Sequence, residues 1–199
     1  MGTVLVEKKD IMKVKQYLLN GLVVSFPTET VFGLAAKYDD TAAVDRLFEI
    51  KGRDKSKAIT LMVESVASAM EFCDLSEDEK RIMERLMPGM ITIVVNKKED
   101  AYIPYLERTV GIRIPDDRFV LELLKLTGPL LVTSANKSGQ ENMVSSDEVL
   151  AEFQNEIPLV VKGECQGKIP STVFKLEGKE VIVFREGTVS KQEILEAIE

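Results

Sequence analysis

The sequence predicts an α/β domain on a twisted mixed β-sheet with flanking helices. Three observations carry that expectation. Helical-period segments and short apolar runs alternate along most of the 199 residues. Two late apolar runs are joined by the tight turn Glu177-Gly178-Lys179, which reads as a hairpin. Hydrophobic residues make up 45% of the chain and recur in every part of it, enough for a sizeable core. No repeat or low-complexity linker divides the sequence, so residues 1–199 read as one domain.

The elements follow in order. Ile11, Val14, Tyr17 and Leu18 share a helical face that stops at Asn20-Gly21. A strand over 22–26 ends at Pro27, and residues 28–38 follow with Gly33 and Ala35-Ala36, small enough for close approach of backbone or ligand. A helix starting at 39–41 buries Val44, Leu47 and Phe48, a basic loop follows, and 59–63 is a strand. Ser76 with Glu79 forms a capping box for a helix through Ile82, Met83 and Leu86, closed by Pro88-Gly89. Strands are expected over 91–95 and 110–114, and a helix over 119–126 closed by Gly128. The strand at 130–133 leads into Ser134-Ala135-Asn136. Ser145 or Ser146 caps a helix through Val149, Leu150 and Phe153, and 157–161 is again strand. Strands over 172–176 and 181–184 make the hairpin, and Ser190 with Glu193 opens the last helix. None of these signals gives the strand order.

Composition excludes several chemistries. Without histidine there is no His-based general base, catalytic triad or His metal site. Cys73 and Cys165 stand too far apart in sequence for a zinc-finger pattern, and two cysteines make no disulfide framework, which points to a reducing interior. No apolar run has signal-peptide length or approaches a membrane span, so the expected location is cytoplasmic, with no membrane partner. The net charge of −7 argues against tight non-specific nucleic-acid binding. Against that background residues 46–57 hold five basic and two acidic side chains, a local +3 that hints at an anionic ligand.

Conventional nucleotide motifs fail. Residues 163–168, GECQGK, fall one residue short of a phosphate loop, and Ile169 stands where Ser or Thr is needed. The pairs Asp39-Asp40 and Asp116-Asp117 read as turns or helix starts rather than metal ligands. Four polar segments remain. Residues 26–33, FPTETVFG, offer two threonines and a carboxylate between aromatics. Residues 51–57, KGRDKSK, place Lys51 and Arg53 where they can converge on one anion. Residues 133–139, TSANKSG, leave the end of a strand, the usual ligand edge of α/β sheets. The hairpin can bring Ser171 and Arg185 to one place. Together they describe hydroxyls, an amide and fixed positive charge without an obvious nucleophile, which suits positioning and neutralising phosphates. The reading from the residues is an ATP or other phosphate-ligand enzyme. The alternative is a protein- or RNA-binding module presenting residues 51–57 on an open face.

These segments resemble the YrdC-like family of threonylcarbamoyl-AMP synthases, in its short, single-domain form. The resemblance runs from about residue 10 to residue 188 through SFPTETVFGLAA (25–36), KGRDKSKAITLMV (51–63), MPGMITIVV (87–95) and VGIRIP (110–115), then TSANKSG, IPSTVF (169–174) and REGTVS (185–190). Departures are Asp54 where the family usually has Pro, Met87 and Met90 for Trp and Pro, Asp117 for His, and Lys162 for an acidic residue.

The resemblance implies an α/β fold around a concave basic cavity, and a synthase that makes threonylcarbamoyl-AMP and pyrophosphate from L-threonine, bicarbonate and ATP. The product feeds threonylcarbamoyladenosine modification of tRNA through a separate transferase. It implies Lys51 and Arg53 as the catalytic pair that neutralises phosphates and carbamate. Ser134 and Asn136 would orient phosphate or the threonylcarbamoyl group, Thr28, Thr30 and Phe32 would line the pocket, and Ser171 and Arg185 would hold ATP. Lys57 is a further ATP-binding candidate, while Arg113 either supports the site or pairs with Asp116. Mg2+ is expected to ride with ATP on phosphate oxygens, with no protein metal site. Two rivals are the related domain of the longer hydrogenase maturation proteins and a double-stranded RNA or tRNA-binding role. The acidic net charge leaves the second no more than weak contact at the cavity rim.

Overall fold

The computed structural model describes residues 2–57 and 59–199. In chain order its elements begin with β1 (Val4–Val6), α1 (Ile11–Leu19), β2 (Val24–Phe26), β3 (Gly33–Lys37) and α2 (Thr41–Lys51). Then come β4 (Thr60–Met62), α3 (Val66–Ala69), β5 (Cys73–Asp74), α4 (Glu77–Leu86), β6 (Ile91–Lys97), β7 (Thr109–Arg113) and α5 (Arg118–Thr127). The chain closes with β8 (Leu130–Ser134), α6 (Ser146–Phe153), β9 (Leu159–Val161), β10 (Thr172–Glu177), β11 (Glu180–Arg185) and α7 (Lys191–Glu196).

Local chemistry sets most helix starts. Ser76, Ser145 and Ser190 each form a capping box with the glutamate three residues on. One member of each aspartate pair caps a helix: Asp40 accepts from the Ala43 amide and Asp117 from the Val120 amide, both at 3.0 Å. Gly52, at φ 60°, ends α2 in the left-handed conformation and turns the chain directly into Arg53.

One mixed sheet collects all eleven strands among the described residues, in the order β1-β9-β2-β3-β8-β4-β7-β6-β10-β11, with β5 paired to β6. The pairs β1/β9, β2/β9, β4/β7 and β6/β10 are parallel, and the others antiparallel. The strand β3 lies within residues 28–38, which carried no strand signal, because Gly33, Ala35 and Ala36 supply none of the β-branched bulk that marks a strand. Strands β1 and β5 and helix α3, of three, two and four residues, also went unsignalled, being too short for any periodicity.

Alternation along the strands divides the core. Leu34 and Ala36 of β3 and Leu131 of β8 join a cluster with Val44, Leu47 and Phe48 of α2, Ile82 and Met83 of α4, and Phe153 of α6. Their neighbours Ala35, Leu130 and Val132 point to the opposite face and pack with Val14 and Leu18 of α1 and with Val120, Leu123 and Leu124 of α5. On β6, β7 and β4 the first cluster takes Ile91, Ile93, Val95, Val110, Ile112 and Leu61. Of the intervening residues only Met62, at the border, joins the α1/α5 cluster. That bare half-face is the floor of the site. No helix among the described residues is long and apolar enough to cross a membrane.

Candidate active site

A cavity of about 240 Å³ opens on the bare half-face, lined by Thr60, Thr92, Val94, Gly111 and Val173 among others. Each of these strand residues alternates with a core residue, so the packing that buries one face presents the other. At about 30 Å³ per water the volume suits an organic ligand rather than a single ion. Thr28, Thr30, Phe32, Arg53, Ser134, Ser171 and Arg185, drawn from all four polar segments, line this same cavity.

Three guanidinium groups dominate its electrostatics. Arg53 leaves the end of α2, and its loop is tied back by Lys55, which bonds Asp45 and Tyr105. Asp54 caps this turn by accepting from the Ser56 amide at 2.8 Å, so in place of proline it orders the loop and stays off the cavity wall. Arg185 ends β11, partly open to solvent, and forks onto Ser171, with Nε donating to the carbonyl at 3.0 Å and Nη2 to Oγ at 3.1 Å. Ser171 Oγ in turn shares a proton with the Thr92 hydroxyl at 2.8 Å. Arg113 ends β7 and is 5% exposed.

The pairing of Arg113 with Asp116 does not form. Arg113 Nη2 instead donates to Glu29 at 2.7 Å and to Thr30 Oγ1 at 3.0 Å, while the Asp116 amide donates to the same Glu29 oxygen at 3.0 Å. Gly167 lies directly on the loop that carries Glu29: a Cβ there would sit 2.9 Å from the Glu29 carbonyl oxygen. Residues 163–168 are thus a clasp on the 27–30 turn, not a phosphate cradle. Among the described residues, buried Arg113 Nε and Glu29 Oε2 have no hydrogen-bond partner.

Burial, followed by the charges of Arg113 and Arg53, lowers the pKa of Arg185, and burial lowers that of Arg53. Among the described residues, the cavity lining holds these three arginines and no Asp, Glu, His or Cys. A polyanion relieves their mutual repulsion; a metal ion finds no carboxylate there.

Lys51, Asn136 and Lys57 lie elsewhere. Lys57 is exposed, outside the lining. Lys51 is 1% exposed behind the wall. Its ammonium donates to the Ser134 carbonyl at 2.6 Å, Asn136 Oδ1 at 2.9 Å, the Asn136 carbonyl at 3.1 Å and Ser134 Oγ at 3.3 Å. Burial first, then the charges of Arg53 and Arg185, lowers its pKa to about 7. The physical reason for this placement is length: from the last turn of α2 the four-carbon stem reaches the carbonyls that end β8. Arg53, two residues on and past the left-handed Gly52, swings into the cavity.

Sequence reasoning named Val173 only within the segment IPSTVF and did not single out Thr60, Thr92 or Phe184. The usable signal was the alternation on β6, with Ile91, Ile93 and Val95 buried and Thr92 and Val94 between them.

The Sua5/YciO/YrdC family model, described as telomere recombination, matches residues 16–187. The chain belongs to this family. Similar relatives include a putative threonylcarbamoyl-AMP synthase of Methanocaldococcus jannaschii, 31% identical over 94% of this chain and 91% of its own length. The threonylcarbamoyl-AMP synthase of Bacillus subtilis is 32% identical over 86% of this chain and 51% of its own. Among solved structures, Pyrococcus abyssi Sua5 in complex with L-threonine superposes with a TM-score of 0.91 at 29% identity, covering 98% of this chain and 61% of that one. The chain therefore spans about half to two thirds of these two longer relatives and nearly all of the first. The family's fold, a twisted mixed sheet with flanking helices, is the one described above.

Proposed function

We propose that the protein is a threonylcarbamoyl-AMP synthase, a nucleotidyltransferase acting on L-threonine, bicarbonate and ATP. The observation that carries the reading is the convergence of Arg53, Arg113 and Arg185 with serine and threonine hydroxyls in one cavity whose described lining holds no Asp, Glu, His, Cys or Lys. The names of its relatives and the L-threonine complex of Pyrococcus abyssi Sua5 support the substrate class.

The chemistry needs two steps. The threonine amine condenses with bicarbonate, forming a C–N bond and releasing water, to give a carbamate. A carbamate oxygen then attacks the α-phosphorus of ATP, and the bond to the β-phosphate oxygen breaks to release pyrophosphate. Both partners of the second step are anions, so their repulsion and alignment are the barrier the protein must lower. Arg53, Arg113 and Arg185 neutralise phosphates and carbamate, and Ser171 with Thr92 orients Arg185. The lining offers Mg2+ no protein ligand set, so the ion arrives on ATP, held by phosphate oxygens and water.

The product is a labile mixed anhydride, which calls for a transferase that passes it to tRNA, and the free, mostly buried cysteines fit a reducing cytoplasm. An RNA-binding role without synthesis is not favoured, since the arginines line a cavity rather than an open face. Purified protein with ATP and Mg2+ should release pyrophosphate only when L-threonine and bicarbonate are both present. Release that ignores either co-substrate refutes the assignment.

A further inference from the structure

Arg53 meets a phosphate in a fixed geometry only if the loop that carries it is fixed. After left-handed Gly52 ends α2, residues 53–57 form neither helix nor strand before β4 begins at Thr60. Asp54, standing where the family usually has Pro, lacks the ring that would lock its φ. The Asp54–Ser56 bond and the 3.1 Å bond from the Lys57 amide to the Asp54 carbonyl shape a turn. Both lie within the loop, and neither ties it to the rest of the fold.

Lys55 supplies a tie. Its ammonium donates to Asp45, ten residues back on α2, and at 3.0 Å to the hydroxyl of Tyr105, fifty residues on in the β6–β7 connection. The Tyr105 hydroxyl donates in turn to the same Asp45 oxygen, so the three side chains close a ring of bonds. Tyr105 is itself held. Its ring meets Phe48 edge-on with centroids 5.7 Å apart, and Phe48 is a buried core residue on α2, one turn after Asp45. Its backbone sits at φ 65°, a left-handed conformation that a bulky residue keeps only where its surroundings hold it.

The loop so anchored borders two spaces. Arg53 lines the main cavity, while Ser56 and Tyr105 line a side cleft of about 190 Å³ that shares Ile59, Val94 and Gly111 with it. Lys55 pins the loop between the two, and neither it, Asp45 nor Tyr105 lines the main cavity. The Asp45 and Lys55 side chains are 35% and 45% exposed, so their ion pair adds little to the stability of the fold. We propose that Asp45, Lys55 and Tyr105 form a latch that positions Arg53, so that ATP meets a guanidinium already in place rather than one that must be ordered on binding. The three are positioning residues that act through Arg53. This inference rests on the reading of Arg53 as a phosphate ligand and adds to it what aims that ligand.

The test is calorimetric titration of the intact protein with ATP, beside its thermal unfolding. Asp45→Asn is the decisive variant, because two effects of opposite sign meet there. Taking an acidic group from beside an anion site strengthens ATP binding if the field alone matters, whereas releasing the latch weakens it. Asp45→Asn, Lys55→Met and Tyr105→Phe should each weaken ATP about five-fold, and Lys55→Arg should stay within about two-fold of wild type. Every Tm should stay within about 3 °C of wild type. Arg53→Met alone should cost about ten-fold or more, and adding Lys55→Met to it less than about two-fold, because both changes remove one interaction. ATP binding that strengthens or holds in Asp45→Asn overturns the proposal, as do losses at Lys55 and Arg53 that multiply. A larger drop in Tm common to the three latch variants makes their role structural and overturns it too. Wild-type protein that binds ATP no better than Arg53→Met refutes the phosphate reading itself, whereas binding that needs Arg53 but ignores Asp45→Asn and Tyr105→Phe refutes only the latch.

Discussion

Replacing Arg113 with Met should separate the stability of the fold from its function. The Arg113 and Glu29 side chains are 6% and 13% exposed and meet at 2.7 Å, so this is a largely buried ion pair. Arg113→Met strands the Glu29 carboxylate, which keeps only the Asp116 amide as a donor, and removes one of the three cavity arginines. Breaking a fully buried pair from one side costs about 3–5 kcal/mol. Glu29 also borders a second cleft, with Asp116 and Lys168, where water can reach it, so the expected loss is about 2–4 kcal/mol. In a chain of this size that is a drop of roughly 5–15 °C in Tm. Adding Glu29→Gln should recover most of the stability, because a neutral amide carries a far smaller desolvation cost. ATP binding should stay weak in both variants, since neither restores the arginine. Urea unfolding and calorimetric ATP titration of the two variants make the comparison. A stability loss below about 0.5 kcal/mol, or ATP affinity that returns with Glu29→Gln, would refute the reasoning.

Three further outcomes are expected. Arg185→Lys keeps the charge but loses the fork onto Ser171, so ATP affinity should fall about ten-fold by calorimetry; unchanged affinity would mean that charge alone suffices. Lys51, with its pKa lowered from 10.5 to about 7, leaves the folded protein binding fewer protons than the unfolded chain between those values. Stability relative to Lys51→Met should therefore rise with pH across that window, by up to about 1.4 kcal/mol per pH unit, and be flat below it in urea titrations. Leu123→Ala, on the buried face of α5, should cost about 2–5 kcal/mol in the same assay while leaving ATP affinity unchanged.

What the sequence disclosed follows the range of the interactions. Helix starts at Ser76, Ser145 and Ser190 were legible because a capping box is written within four residues, and the β10/β11 hairpin because its turn is local. Strand β3 was not, since its place depends on pairing Gly33 with Ser134 across the sheet. At the site, residue types and motifs pointed to Arg53, Ser134, Ser171 and Arg185, all of which line the cavity. The partner of Arg113 was hidden, because Glu29 lies 84 residues away in sequence. Lys51 was hidden for a related reason. Its motif advertises an anion ligand, yet its neighbours are the backbone and side chains of Ser134 and Asn136, 83 and 85 residues along. Alternation on β6 places Thr92 off the core face, but that this face stays uncovered as the floor depends on where α1 and α5 stop covering the sheet, which no local pattern encodes.

The central claim is that one cavity joins an amino acid, bicarbonate and ATP. Its most direct test is mass spectrometry of the product made by the purified protein from L-threonine, isotope-labelled bicarbonate and ATP, quenched within seconds. Label carried in a threonylcarbamoyl-adenylate, released in step with pyrophosphate, is the predicted result. An adenylate without the label, or ADP and phosphate in place of AMP chemistry, would contradict the account.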